Sequence, residues 1–186
     1  MLITLVMLVI ILMVGLSMNT IALSDEKVAR NERDRIVALQ AAEAALADAE
    51  MDIENSPSPL TRSFLFSPHS GLGFTSNCAR GDNNIFQGLC LISDDPRTSA
   101  WRTADIANQS ANSASVKLGR FTGQAMAFGT GPLPGHLPRY VIELMPDYRP
   151  GQSADPMYMY RITAIGFGSD PSSQAVVQSF YRKMSR

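Results

Sequence analysis

The sequence predicts an α+β fold in which one long N-terminal helix is packed on an antiparallel β-sheet head. Residues 1–24 contain no charged side chain and continue, without a proline, into an alanine-rich stretch that ends near Glu54. Segments with strand-like patterns follow only after residue 113, and each is bounded by Gly, Pro, Asp or Ser. The chain therefore divides into a helix, residues 1–54, and a globular head, residues 55–186.

The first half of the predicted helix has the properties of a membrane anchor. At about 1.5 Å per residue, residues 1–24 would be roughly 35 Å long, enough to cross a hydrocarbon core of about 30 Å. A cleaved secretory signal is the alternative, but the basic flank of such a signal is not visible before the apolar run. We expect one membrane span, whose apolar surface includes Leu5, Leu8, Ile11, Leu12, Val14 and Leu16.

The second half of the helix has apolar residues mostly three or four positions apart, which is typical of one face of an amphipathic helix. This stripe is expected to pack against the head, and it contains Val28, Ile36, Leu39, Ala42, Leu46, Ala49 and Ile53. The many alanines around it are strong helix formers, and their small side chains would let other helices approach closely.

Four acidic residues lie at the C-terminal end of this helix: Asp48, Glu50, Asp52 and Glu54. A helix C-terminus favours cations, so these carboxylates oppose the helix dipole. We expect basic groups of the head or of a neighbouring subunit to compensate them. A solvated acidic face is the alternative.

Residues 56–100 form a long irregular region rich in Gly, Asn and Pro. It contains the two cysteines of the chain, Cys78 and Cys90. Two cysteines in a head that follows a membrane anchor favour an oxidising compartment and a disulfide; two buried thiols in a cytosolic head are the alternative. Four aromatic side chains are expected to pack this region: Phe66, Phe74, Phe86 and Trp101.

The predicted strands lie at 114–118, 121–128, 139–145, 157–166 and 174–181. Their spacing favours an antiparallel meander over residues 114–181. Alternation of side chains in 139–144 and 158–164 should direct one face of the sheet toward the helix.

Charge and motifs argue against several classes of function. The net charge is −1, and the bases of the head are scattered rather than clustered, so no nucleic-acid partner is expected. His69 and His136 lie in loops without a carboxylate at a suitable spacing, and no zinc or nucleotide-binding pattern occurs. We therefore expect no catalytic, cofactor or metal site. A nonstandard Ca²⁺ site around residues 82–84 remains an open alternative.

Two parts of the chain resemble one protein family. The segment RDRIVALQAAEAAL, residues 33–46, is similar to the signature of PilX-type minor pilins, in which R-D-R leads to A-x-Q-A-A-E-A-A-L. The later segments PRYVIE at 138–143, YRITA at 160–164 and VVQSFYR at 176–182 resemble the last strands of that family. Residues 56–130 are similar only in character.

This resemblance implies a type IV pilin-like fold and a structural, non-enzymatic role. It implies maturation by a prepilin peptidase, a single-pass location in the inner membrane with a periplasmic head, and extraction by the inner-membrane assembly platform. It further implies that the subunit meets the major pilin, other minor pilins and a tip adhesin in a complex that initiates the pilus. The N-terminal apolar residues would then lie first in lipid and later in the fibre core.

Two alternatives stay open beside this resemblance. One is a minor pseudopilin of a type II secretion system, which would share the architecture. The other is a membrane-tethered periplasmic enzyme or binding module, for which Arg80, Asp82 and His69 in the irregular region would be the candidate site.

The chain departs from the major pilins in two ways. Leu5 stands where major pilins typically carry a glutamate, and no acid precedes Asp25. If that glutamate pairs with a neighbouring subunit's amino terminus, its absence favours a position at the pilus tip. The predicted disulfide also lies early in the head, so the adhesive C-terminal loop of many major pilins is not transferred to this chain.

Overall fold

A computed structural model describes residues 1–93, 99–147 and 157–183, except for the side chains of residues 14–23. Helix α1 runs from Leu2 to Glu54 and ends where Asn55 adopts an extended conformation, shortly before Pro57 and Pro59. Proline removes a backbone donor and disfavours helix in the residue before it, which explains the end of the helix. The long N-terminal helix is thus present as predicted.

The head is built on a mixed sheet. Its strands are β1 (Leu89–Leu91), β2 (Val116–Lys117), β3 (Arg139–Asp147), β4 (Met157–Phe167) and β5 (Gln174–Tyr181). The order is β1-β3-β4-β5, and β2 also pairs with β3. The antiparallel meander β3-β4-β5 agrees with the prediction, whereas β1 pairs with β3 in parallel. The α+β class is confirmed, and the sheet is mixed rather than purely antiparallel.

Two strand predictions between the irregular region and β3 need correction. Residues 121–128 form no strand: Gly119 and Gly123 adopt positive φ on either side of Phe121, which closes a turn there. The segment predicted at 114–118 contributes only the two residues of β2. Turns that demand positive φ favour glycine, and here they prevent a long extended run.

Two apolar cores lie on opposite faces of the sheet. The first is between the sheet and α1, and it contains Phe66 and Phe74, with Phe86 packed against its edge. The second lies on the other face and contains both cysteines and the short helix α2 (Ala100–Thr103), with Trp101 at its edge. The irregular region is therefore folded over both faces of the sheet. The four aromatic residues that were predicted to pack it, Phe66, Phe74, Phe86 and Trp101, contribute to the two cores.

The N-terminal part of α1 extends away from the head. Leu5, Leu8, Ile11 and Leu12 are between 57% and 68% exposed, while Val14 and Leu16 fall among the residues whose side chains are not described. Within the described residues, no helix combines the length and the apolar character needed to span a membrane.

Candidate functional site: the helix–head seam

The surface that joins α1 to the head consists of helix residues 34–54 and the head residues that contact them, and we call it the helix–head seam. Its helix side consists mainly of small side chains, each fully buried: Ala38, Ala41, Ala42, Ala45 and Ala49. Ile53 is also fully buried, and Leu46 packs partly against the core.

The predicted stripe was wrong at three positions. Val28, Ile36 and Leu39 are 63%, 47% and 42% exposed, so they do not pack on the head. For Ile36 and Leu39 the reason is steric, because the sheet approaches the helix backbone so closely that only alanine fits between them, and these two residues lie on faces of the helix that the head does not cover. Val28 lies before the seam, which begins at residue 34.

Gly166 of β4 marks the point of closest approach. A Cβ atom at this position would lie 2.1 Å from the carbonyl oxygen of Ala38 and 2.3 Å from the amide nitrogen of Ala42. A Cβ at Gly168 would lie 2.9 Å from the carbonyl oxygen of Asp34. Backbone atoms of the helix cannot move aside as a flexible side chain could, so both positions require glycine for packing.

Asp34 fastens the turn between β4 and β5 to the helix. Its two carboxylate oxygens accept hydrogen bonds from the backbone amides of Ser169 and Asp170, each at 3.2 Å. These amides follow directly after the glycines that touch the helix. The aspartate of the R-D-R segment and the two glycines therefore form one contact.

Asp48 is buried in the seam, and none of the described basic residues forms an ion pair with it. It accepts hydrogen bonds from the Thr122 hydroxyl and from the backbone amide of Gly119, the latter at 2.9 Å. Burial raises the pKa of the Asp48 carboxyl above its usual value, although both hydrogen bonds oppose that shift. The turn at residues 118–122, where the strand predicted at 121–128 would begin, thus provides both donors for the helix carboxylate.

Asp52 forms a fully buried ion pair with Arg62. The Arg62 guanidinium donates to both Asp52 oxygens at 2.7–3.1 Å, and the Tyr140 hydroxyl donates to the same carboxylate at 2.9 Å. Arg62 also donates to the carbonyl oxygens of Ile85 and Gln87 at 2.9 and 2.6 Å. Breaking a buried pair of this kind typically costs about 3–5 kcal/mol, because one charge is left uncompensated.

The guanidinium of Arg62 lies 3.8 Å from the ring centroid of Phe121, which adds a cation–π contact to the ion pair. Burial is the main cause that raises the pKa of the Tyr140 hydroxyl well above its usual value, and the Asp52 carboxylate adds to that shift. Tyr140 consequently remains a hydrogen-bond donor at any physiological pH.

The last turn of α1 is capped by the C-terminal end of the head. Lys183 donates to the carbonyl oxygens of Ile53 and Ser63 at 2.6 and 2.8 Å, and the Tyr181 hydroxyl donates to Glu54 at 2.7 Å. Burial, together with Glu54, raises the pKa of Tyr181 to about 12. The compensation expected for the acidic end of the helix therefore comes from the head, chiefly from Arg62 and Lys183.

The opposite face of the sheet contains further buried charges. Arg161 donates to both oxygens of Glu143 at 2.7 and 2.8 Å, and Glu143 also accepts the backbone amide of Ala100 at 3.0 Å. Arg139 donates to Ser115 through two nitrogens, each at 2.7 Å, and burial lowers its pKa. Sequence analysis missed these roles. The only available signal was that charged residues occur in otherwise apolar strands.

The irregular region contains the predicted disulfide, which joins Cys78 to Cys90 of β1. The Asp82 carboxylate accepts hydrogen bonds from Lys117 at 2.8 Å and Gln87 at 3.1 Å, so it is engaged by donors rather than open to a cation. No cluster of three or more metal-ligating side chains occurs in the described residues.

Two cavities lined by described residues lie away from the candidate ligand-binding residues. One, of about 380 Å³, lies between Arg33 of the helix and Pro132 of a head loop. Another, of about 300 Å³, lies between Met51 and Met126. Arg80, Asp82 and His69 line neither of them.

Two family models match the chain, one over most of α1 and the other over most of the head. Residues 2–47 match the PilX N-terminal family, and residues 81–183 match the family described as Type IV pilus assembly protein PilX C-term. No curated protein and no solved structure matches the chain. The two matched ranges include four alanines of the helix face, from Ala38 to Ala45, together with Asp34, both seam glycines and Lys183. The chain therefore belongs to the PilX family, whose members are type IV pilus minor pilins with a structural role in pilus assembly.

Proposed function

We propose that this subunit helps to initiate type IV pilus assembly as part of a priming complex at the pilus tip. The complex would contain other minor pilins and an adhesin, with the major pilin added below it by the inner-membrane assembly platform. The observation that carries this proposal is the match to the PilX family over both α1 and the head.

The N-terminal half of α1 is proposed to hold the subunit in the inner membrane with its head in the periplasm. The run has no charge over residues 1–24, and Leu5, Leu8, Ile11 and Leu12 have no contact with the head that would bury them. Val14 and Leu16 continue the same run. After cleavage by a prepilin peptidase, this surface would move from lipid into the fibre core.

The absence of an acidic side chain within residues 1–24 supports a position at the tip. A subunit within the shaft would need its N-terminal carboxylate for the neighbouring subunit's amino terminus, whereas a subunit at the end of the fibre could lack that contact. The disulfide is consistent with a head that folds in an oxidising compartment.

The proposal is tested by counting pili and by locating the subunit. In cells that cannot retract their pili, deletion of this subunit should reduce the number of surface pili at least ten-fold, and the full-length chain should restore it. Gold particles directed to a tag on the head should lie at fibre ends. Even labelling along sheared fibres would contradict the tip position.

A membrane-anchor variant gives the control. Leu8→Asp places a charge in the apolar run at an expected cost of about 2.5–3.5 kcal/mol of insertion free energy, so it should fail to restore piliation. Leu8→Ile should behave as the unmodified chain does. Normal piliation with loss of protein secretion in the deletion strain would instead identify a secretion pseudopilin.

A further inference from the structure

The two edges of the sheet differ in how they are protected. At the β1 edge, the backbone amide of Leu91 donates to Thr75 at 2.9 Å, and residues 75 and 79 form bridges that cover the strand. At the other edge, β5 is the last strand, and no other described segment pairs with its outer side. Among the described residues, the outer side of β5 is therefore an open edge of the sheet.

The sequence of β5 contains none of the features that usually guard an open edge. Its residues, QAVVQSFY, include no charged side chain, no proline and no glycine. Its pairing with β4 continues through all eight positions without a bulge. Soluble proteins normally place lysine, proline or a bulge on such a strand, because unpaired backbone groups invite another strand.

The side chains along this edge differ between the two faces of the sheet. Val176 and Phe180 are 48% and 58% exposed on the face that points away from α1. On the helix side, the edge is bordered by two carboxylates, since Glu50 accepts from the Ser179 hydroxyl and Glu54 from Tyr181. Lys183 lies nearby, but its described hydrogen bonds go to backbone carbonyls. The face that points away from α1 thus presents Val176 and Phe180 on either side of the exposed Gln178, while the helix side presents two carboxylates.

We propose that the open edge of β5 is a docking site for an extended segment of another pilus subunit, which adds a strand to the sheet. Side chains of an added strand would alternate between the two faces. They should be apolar beside Val176 and Phe180 and basic beside Glu50 and Glu54. The backbone contributes affinity and the alternating side chains contribute specificity. That the donor is a pilus subunit rests on the proposed function, whereas strand addition itself does not.

Binding of defined peptides to the full-length chain in detergent micelles tests the site. The first fluorescent eight-residue peptide alternates valine with lysine, the second alternates valine with glutamate, and the third is the first with two valines replaced by proline. We expect the valine–lysine peptide to bind at least ten-fold more tightly than either of the others. Equal affinity of the first and third peptides would overturn strand addition, because proline removes backbone donors.

Variants of the chain locate the binding. Val176→Lys should weaken binding of the valine–lysine peptide at least ten-fold, while Phe128→Lys, at another exposed apolar residue, should not. The double variant Glu50→Gln, Glu54→Gln should abolish the preference for lysine over glutamate, while Asp25→Asn, at an exposed acid of α1 before the seam, should retain it. An unchanged preference in the double variant would overturn the proposed charge complementarity.

Cross-linking in cells identifies the donor. With a photo-reactive amino acid at the exposed position Gln178 of the full-length chain, the cross-linked peptide should come from another pilus subunit and show the alternating pattern. Val176→Lys should abolish that product. A cross-link only to a second copy of this chain would overturn the assignment to a different subunit.

The outcomes separate this inference from the proposed function. Loss of pili on deletion, without peptide binding, would reject the docking site and leave the role in initiation intact. Peptide binding with a normal number of pili on deletion would reject the role in initiation and retain the docking site.

Discussion

The helix–head seam and the open edge of β5 distribute charge in opposite ways. The seam buries Asp48, Asp52 and Arg62, whereas the exposed edge strand has no charged residue. Each buried carboxylate of the seam has a fixed set of donors, so only one docking geometry satisfies them. At the edge, no described strand pairs with the outer side of β5, so no internal contact fixes how a partner would meet it. Buried charges thus specify the contact between helix and head, whereas the uncharged edge of β5 leaves a surface available to a partner.

The largest expected effect comes from breaking the buried ion pair of the seam. Arg62→Met leaves Asp52 with Tyr140 as its remaining side-chain donor, so we expect the free energy of unfolding to fall by about 3–5 kcal/mol. Urea denaturation of the full-length chain in detergent measures it. The double variant Asp52→Leu, Arg62→Met should recover part of the loss, because no uncompensated charge remains. A loss below about 1 kcal/mol for Arg62→Met would mean that the ion pair does not specify the seam.

The next largest loss of stability is expected from a steric clash that involves no charged group. In Gly166→Ala, the new Cβ would meet the backbone of Ala38 and Ala42, so strand and helix must separate. We expect a loss of about 1–3 kcal/mol, or more if the backbone cannot shift. Thermal unfolding of the same protein measures it. Gly129→Ala is the matched control, since nothing lies within 4 Å of a Cβ there and only its positive φ is strained.

A smaller effect, dependent on pH, is expected at Asp48. Its raised pKa means that the folded chain retains a proton there after the unfolded chain has released it. The resulting stabilisation is complete below the unfolded pKa of about 3.9 and is lost as the pH rises through the raised folded value. In Asp48→Asn the side-chain amide can accept a hydrogen bond from Gly119 and donate one to Thr122, so this pH dependence should disappear. At neutral pH the free energy of unfolding should change by at most about 1 kcal/mol.

Urea titrations from pH 3 to pH 8 on both proteins measure the difference. The stability of the variant relative to the unmodified chain should increase as the pH rises through that range. A difference that is constant with pH would contradict the buried, unpaired state of this carboxylate.

The smallest effect on stability is expected at the open edge. Val176→Lys replaces an exposed side chain, so the free energy of unfolding should change by no more than about 0.5 kcal/mol, although the same variant is expected to lose the docked strand. Unfolding and peptide binding, measured on one preparation, separate the stability of the head from its ability to bind an added strand. A loss above about 2 kcal/mol would show that β5 is part of the stability of the head rather than an independent docking edge.

Elements with a continuous pattern were predictable from the sequence. Helix α1, the meander β3-β4-β5 and the disulfide all follow from local composition and spacing. Strand β1 was missed because it consists of three residues in a Gly/Asn-rich stretch and depends on pairing with β3, which is distant in sequence. Residues 121–128 resembled a strand because their apolar residues were counted without the glycine turns around them.

The seam was predicted only in outline, for a physical reason. Hydrophobicity favoured Val28, Ile36 and Leu39, but the seam begins only at residue 34, and within it the closeness of Gly166 to the helix backbone makes alanine the residue that fits. The pairing of Asp52 with Arg62 could not be derived from the sequence, because it depends on a loop that returns over the sheet. The acidic helix end nevertheless indicated that a cationic group of the head or of a neighbour was needed.

The contacts of β5 with α1 also determine how the head would respond to force. Asp34 binds the turn before β5, Glu54 binds Tyr181 at its end, and Lys183 binds the last turn of the helix. The strand therefore runs beside the helix and is attached to it at both ends. Tension applied along the fibre would load these attachments together, as shear, rather than opening them one after another. A head that is pulled from its outer strand would transmit that load to the helix without first unfolding its disulfide-bonded region.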